Sequence, residues 1–342
     1  MSLAETTSPD YAELSRLVRA EGLLEPQEGY YALKLLLALG AVAVTVVVAL
    51  VTTHPAILLA DAVLLAIAST QLALLAHDVV HRQAFRARWL NQFLRYAVGN
   101  VLLGMSPSWW AEKHTQHHAN PNHIELDPDL QIPLLEFSEA RIAQRSRWER
   151  PLIAIQAPIL PLLFPFQAVS LRWMSAGHIA TGAAPIRLLQ AVLMIGHFVL
   201  YAWLLMSLGG LGIAIAFAVV HQATFGLYNS SVFASNHKGM PILEEGKARL
   251  SFLEEQVMTA RNVDGNRLVD FIYGGLNYQI EHHLFPTMPR NNLAKAKTLV
   301  RSFCVERGIA YHSTSLPQAY REGFAHLHRT GAALRRGGGI AA

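Results

Sequence analysis

Four apolar runs divide this chain: Tyr31–Val51, Ile57–Ala76, Leu188–Leu208 and Leu211–Ser230. Each is close to the ~20 helical residues that cross a bilayer core. Thr52–Ala56 joins the first two and Gly209–Gly210 the second two, so the pattern predicts two tight helical hairpins. Two further stretches are apolar but less clean. Asn91–Met105 carries spaced polar residues, which suits a helix lying at the interface. Pro151–Leu171 is interrupted by Pro151, Pro158, Pro161 and Pro165. Proline removes a backbone donor and breaks helices, so an interfacial or re-entrant segment is expected there. A fifth span is the competing reading. The expected fold class is all-α, a polytopic membrane protein with four transmembrane helices and a helical cytoplasmic cap. Its segments are an N-terminal stretch at 1–30, a first hairpin at 31–76, a cap portion at 77–187, a second hairpin at 188–230, a second cap portion at 231–334 and a disordered tail at 335–342.

Composition agrees. Of 342 residues 52% are hydrophobic and 15% charged, against roughly 25% charged in soluble domains. The opening MSLAETTSPDYAEL is polar and acidic, unlike a signal peptide. Lys and Arg number three in the first 34 residues, 11 between 77 and 187, and 14 after 230, with none in either hairpin turn. The positive-inside rule then puts both termini and the middle segment in the cytoplasm, and a fifth span would contradict that count. The basic pI of about 9.2 is accounted for by a face toward anionic headgroups, and no nucleic-acid partner is expected. Cys304 reads as a small apolar helix residue.

The 16 histidines cluster. His77 and His81 in HDVVH are four apart, one face of a helix, where the second span reaches the cytoplasm. In KHTQHH, His114, His117 and His118 stand at i, i+3 and i+4. LNYQIEHHLFP repeats that spacing with Gln279 leading His282 and His283, and His237 follows the fourth span. By chance, the HxxHH triplet is expected roughly 0.04 times per chain, so the pattern is specific. Neutral imidazole is a common metal ligand. Eight histidines exceed what one metal binds, so two metals are the economical reading, and a thiolate-free set suits iron, copper or zinc. A site at the water–lipid boundary calls for an amphiphilic substrate.

HDVVH, KHTQHH and QIEHHLFP resemble the histidine boxes of integral-membrane fatty acid desaturases, in the subgroup whose third box starts with glutamine. The resemblance runs from about Asp10 to Leu334. FASNHKGMP, GGLNYQIEHHLFPTMPR and FCVERGIAY are similar to actinobacterial acyl-CoA desaturases. It implies four spans, a cytoplasmic cap, a bacterial plasma membrane, and two irons held by His77, His81, His114, His117, His118, His237, His282 and His283. The implied reaction is O2-dependent removal of two hydrogens from an acyl chain, carried by CoA or else by acyl-carrier protein or a lipid, to leave a cis double bond. Animal stearoyl-CoA desaturases have histidine at Gln279 and asparagine at Phe233, so the ligands of one iron differ here. Front-end desaturases often carry a fused cytochrome b5 domain. With no HPGG haem motif here, electrons are expected from a separate NAD(P)H-dependent reductase.

Gln279 is then either a weak ligand or a neighbour that orients an imidazole. Asp78, Asp127, Asp129 and Glu281 are expected to accept imidazole N–H groups. Trp109 and Trp110 either shape a substrate entrance or anchor a helix. His54, His312, His326 and His328 read as solvated surface, His178 as loop, and His123 as off the helical spacing of its box. His197 and His221 are expected to pair inside the membrane. At 16 residues from His237, His221 is roughly 24 Å away along a helix, too far to share a metal. A hydroxylase or acetylenase is the alternative within the same chemistry. A membrane haem electron carrier is the alternative from another class, and it would place paired histidines in mid-membrane.

Overall fold

The computed structural model describes residues 8–244 and 250–336. The first seven residues, and 337–342 of the expected disordered tail, lie outside them; Arg335 closes a short helix. The chain forms two compact units, one of residues 26–112 and 164–231, the other of 1–25, 113–163 and 232–342.

Among the described residues, four helices are long and apolar enough to cross a membrane: Glu28–Val51, Pro55–Val80, Arg187–Met206 and Leu211–His237, the last running from the first unit past residue 231 into the other. Pro55 starts the second, where its missing N–H costs nothing. Between the third and fourth, Gly209 takes a φ of +81°, which glycine accepts without strain. Tyr31, Ala38, Thr45 and Ala49 form the buried stripe of the first span, while Leu36, Leu37, Val44 and Val47 stay exposed on its other side. With no hydrophobic drive in lipid, small residues let helices approach and pack. Ala49 and Ala62 do this where the spans meet, and Leu65, Leu204, Leu208 and Phe217 fill the space around them. Gln71 donates to Tyr228 Oη at 2.8 Å and Asn229 to Thr70 Oγ1 at 3.3 Å, setting the register of the second and fourth spans.

Asn91–Met105 departs from the interfacial expectation. Arg88–Tyr96 is helical and continues as a π-helical turn, Ala97–Leu102. His197 Nδ1 donates to the Val101 carbonyl at 3.0 Å. His197 is ten residues into the third span, roughly 15 Å along the helix, so this segment reaches mid-span depth. Gly104, at φ +67°, lies where any Cβ would strike the His197 ring. In the proline-rich stretch and just beyond it, the Phe164 and Pro165 carbonyls abut Gly226 with no space for a Cβ, and Arg172 donates to Gln222 Oε1 at 2.6 Å. Broken backbone is tolerated at membrane depth when protein surrounds it. Gln167–Ala180 is one helix, so His178 is helical and not in a loop.

Among the described residues, the second unit combines helices with a short parallel pair, Asn262–Asp264 with Ser313–Ser315. Its core gathers Leu14 and Val18 of Pro9–Ala20, Leu253 and Val257 of Phe252–Met258, Ile280 and Leu284 of Gln279–Leu284, and Val300 and Cys304 of Arg290–Glu306. Cys304 is fully buried among them, as its small apolar character suggests.

Candidate metal centre

Six imidazoles of the second unit gather from three segments. His114, His117 and His118 come from the end of helix Pro107–Ala119, His237 ends Leu211–His237, and His282 and His283 sit on Gln279–Leu284. The rings of His117 and His237 are 4.7 Å apart, those of His237 and His283 4.7 Å, and those of His117 and His283 5.0 Å. Ligand nitrogens of these three lie within 4.8 Å of one another. His118 packs on His283 at 4.2 Å and His282 at 4.8 Å, and its Nε2 is 3.0 Å from His114 Nε2.

The three central rings are oriented by acceptors. His117 Nδ1 is 3.0 Å from each Asp127 oxygen, His237 Nδ1 is 3.1 Å from the Thr259 carbonyl, and His283 Nδ1 is 3.0 Å from Gln256 Oε1. Asp127 and the Thr259 carbonyl only accept, so His117 and His237 hold a proton on Nδ1, and with Gln256 presenting Oε1 His283 does the same, leaving Nε2 of each ring to face the site. His283 Nε2 is buried with no hydrogen-bond partner, a costly state unless a metal takes the lone pair. Burial, then the surrounding His118, His237, His117 and His282, hold His283 well below its ordinary pKa, so it is neutral at pH 7. Burial alone would raise Asp127. The hydrogen bond from His117, the charge of Lys238 and the Asn122 N–H outweigh it and keep the carboxylate ionised. An all-imidazole set with fixed tautomers fits iron, copper or zinc.

A six-residue helix cannot hold itself. Gln279–Leu284 is clamped by Glu281, which is fully buried and accepts from Tyr311 Oη and from Asn262 Nδ2, each at 2.7 Å. Asn262 Oδ1 in turn accepts the Ile280 N–H at 3.0 Å. Glu281 thus pins the helix to the strand pair. Asp129 pairs with Lys113, and burial lowers that lysine to about 8.

In the first unit, the His77 and His81 rings are 4.7 Å apart, and His77 Nδ1 is 3.1 Å from Asp78 Oδ1. The Trp110 ring meets His77 edge-on at 5.3 Å, and Trp109 is buried. His197 and His221 are not bonded to each other as expected. His221 Nδ1 takes Tyr201 Oη at 2.8 Å and Gln222 at 3.0 Å, while His197 uses Val101. Among the outlying histidines, His54 and His328 are exposed. His312 bonds Glu322 at 2.9 Å, and His326 is half-buried, donating to the Phe137 carbonyl at 2.9 Å. His123 bridges Leu243 through its backbone.

Sequence reasoning missed Gln256, Thr259, Asn236, Asn262 and Tyr311. Gln256 left a trace, a polar residue on the same face as Leu253 and Val257.

The description "Fatty acid desaturase" fits residues 52–315 at the level of a family model. The "Acyl-lipid (9-3)-desaturase" of Physcomitrium patens is 32% identical over 316 residues, 90% of this chain and 60% of that protein. In Caenorhabditis elegans, the "Delta(5) fatty acid desaturase fat-4" is 32% identical over 88% of this chain and 69% of its own length. The "Delta(6)-fatty-acid desaturase fat-3" is 29% identical over 92% and 72%. The chain thus spans between 60% and 72% of these relatives.

Proposed function

Because this chain belongs to the fatty acid desaturase family, we propose that it is an O2-dependent acyl desaturase introducing a cis double bond at two irons. The ligands in this reading are His77, His81, His114, His117, His118, His237, His282 and His283. The observation that carries it is the trio His117, His237 and His283, with ligand nitrogens within 4.8 Å of one another and every Nδ1 tied to an acceptor. Imidazoles so fixed turn Nε2 toward the shared metal site.

When bound, iron supplies the O2 activation needed to remove hydrogen from an unactivated C–H bond. The chain's own part is to keep the imidazoles neutral, to aim them, and to exclude water around His282 and His283, both buried. The balance of the reaction points to a partner. Forming C=C releases two electrons and two protons, O2 takes four of each to give two waters, and two of each come from outside. We assign that supply to a separate NAD(P)H-driven donor. The substrate in this reading is acyl-CoA. A membrane-lipid carrier is the second reading, favoured by the acyl-lipid relative. We place both termini and the boxes on the cytoplasmic side from the Lys and Arg distribution, and take the membrane to be a bacterial plasma membrane from the resemblance of the box segments to actinobacterial desaturases.

Elemental analysis of purified protein tests the metal, with about two irons per chain expected; a single metal, or stoichiometric zinc after growth with iron plentiful, contradicts it. Supplying the same acyl chain as CoA thioester and as phospholipid, with donor and O2, tests the carrier. Product from the phospholipid alone overturns the CoA assignment.

A further inference from the structure

Gln279 leads the third box where the second box has His114, and its orientation is set by groups outside the boxes. Asn236 Nδ2 lies 3.1 Å from the Leu276 carbonyl and 2.9 Å from Gln279 Oε1. A carbonyl oxygen only accepts, so the Asn236 atom facing Leu276 is the NH2 group, and its flip is fixed. Its Oδ1, on the other side, takes Ser235 Oγ at 3.2 Å, and Ser235 Oγ is 2.9 Å from Tyr273 Oη. The Gln279 atom that meets the Asn236 NH2 must be the amide oxygen.

The amide nitrogen of Gln279 is then the atom on the side of His237, 3.0 Å from its Nε2. The Leu276 carbonyl thus fixes this side chain through Asn236. Gln279, Asn236 and His237 are all buried, so water does not compete for these groups.

We infer that Asn236 is a positioning residue that holds the Gln279 amide oxygen away from the metal site, so that Gln279 turns only its NH2 group toward the histidines and supplies no metal ligand. An amide coordinates through its oxygen, and here that oxygen is held by Asn236 on the side away from His237. This rests on the di-iron reading above. It adds that the position filled by histidine in the second box supplies no ligand in the third, and that the cause is a residue next to His237 in sequence.

The test uses full-length protein loaded with ferrous 57Fe, read by Mössbauer and near-infrared magnetic circular dichroism, which report coordination. If wild-type protein binds no iron, the metal reading itself fails, and this result is separate from all that follow. With iron bound, Gln279→Leu is expected to keep two irons and the wild-type coordination signature while turnover falls about 10- to 100-fold. Loss of one iron, a lower coordination number, or unchanged turnover contradicts the inference. Gln279→Glu keeps an oxygen for Asn236 and brings a second oxygen where the NH2 stood, so the signature should change. An unchanged signature would mean an oxygen ligand was already present. Asn236→Asp cannot donate to Gln279 and frees its amide to turn, so it should shift the signature in the same sense. A wild-type signature and turnover in that variant also contradict the inference. Gln279→Glu keeps the test open if Asn236→Asp does not fold.

Discussion

Asp127 and Gln256 touch no substrate in this account, yet each decides which nitrogen of a histidine is free. Asp127 is ionised and buried against His117, and Gln256 is buried against His283. Removing such a partner lets the ring turn or change tautomer, typically weakening metal affinity or activity about 10- to 100-fold. Asp127→Asn and Gln256→Leu are therefore expected to lower iron retention during dialysis by amounts in that range, with membrane insertion intact. Retention equal to wild type in both would show that the rings are held by packing alone. His118→Ala and His283→Ala should abolish turnover, and wild-type activity in either would remove that histidine from the ligand set. At this scale the sequence was readable where spacing carried the message. The i, i+3, i+4 pattern of His114, His117 and His118 announces one helix face. Gln256, Thr259 and Asn236 belong to other segments, and no local pattern links a glutamine at 256 to a histidine at 283.

Apolar runs announced the four spans, because a helix long enough to cross a bilayer needs little else. Depth was harder to read. Asn91–Met105 has the spaced polar residues of a surface helix, but Gly104 and the π-helical turn let it reach the level of His197. Hydrophobic periodicity reports which side of a segment is apolar and says nothing about how deep it lies. Gly104→Val would combine a left-handed backbone with a collision against His197, so it should destabilise the protein by about 1–3 kcal/mol. Thermal unfolding in detergent checks this, and an unchanged midpoint would mean the turn has room to spare. The histidine cluster adds a pH dependence. Burial lowers the folded-state pKa of His283 below 6.5, so the unfolded chain binds more protons than the folded one in that interval. Its contribution is present above about pH 6.5 and is lost as pH falls through the folded value. Protons also compete with metal for the same lone pairs. Stability of iron-free protein and iron retention should both decline as pH drops from 7 toward 5. Constant values across that range would contradict the neutral-ligand assignment.

For the molecule as a whole, the distribution of Lys and Arg, absent from both hairpin turns, sets the expected topology. Reporters fused at either terminus should report the cytoplasmic side, and a C-terminal reporter active only on the far side would invert the orientation. The all-α membrane fold was legible from composition and run length, and the metal chemistry from the histidine boxes. Product outcome was not, because a desaturase and a hydroxylase begin from the same hydrogen abstraction and share the same ligand types. The fate of the two oxygen atoms separates them, both leaving as water in desaturation and one staying on the product in hydroxylation, and isotopes can read it. The most direct measurement is mass spectrometry of the acyl chain after turnover of purified, iron-loaded protein with an electron donor and 18O2. The account predicts a product lighter than substrate by two hydrogens, carrying no 18O, and none formed without the donor. A product that has gained one 18O atom would contradict desaturation, and turnover with no electron source would contradict the balance on which the account rests.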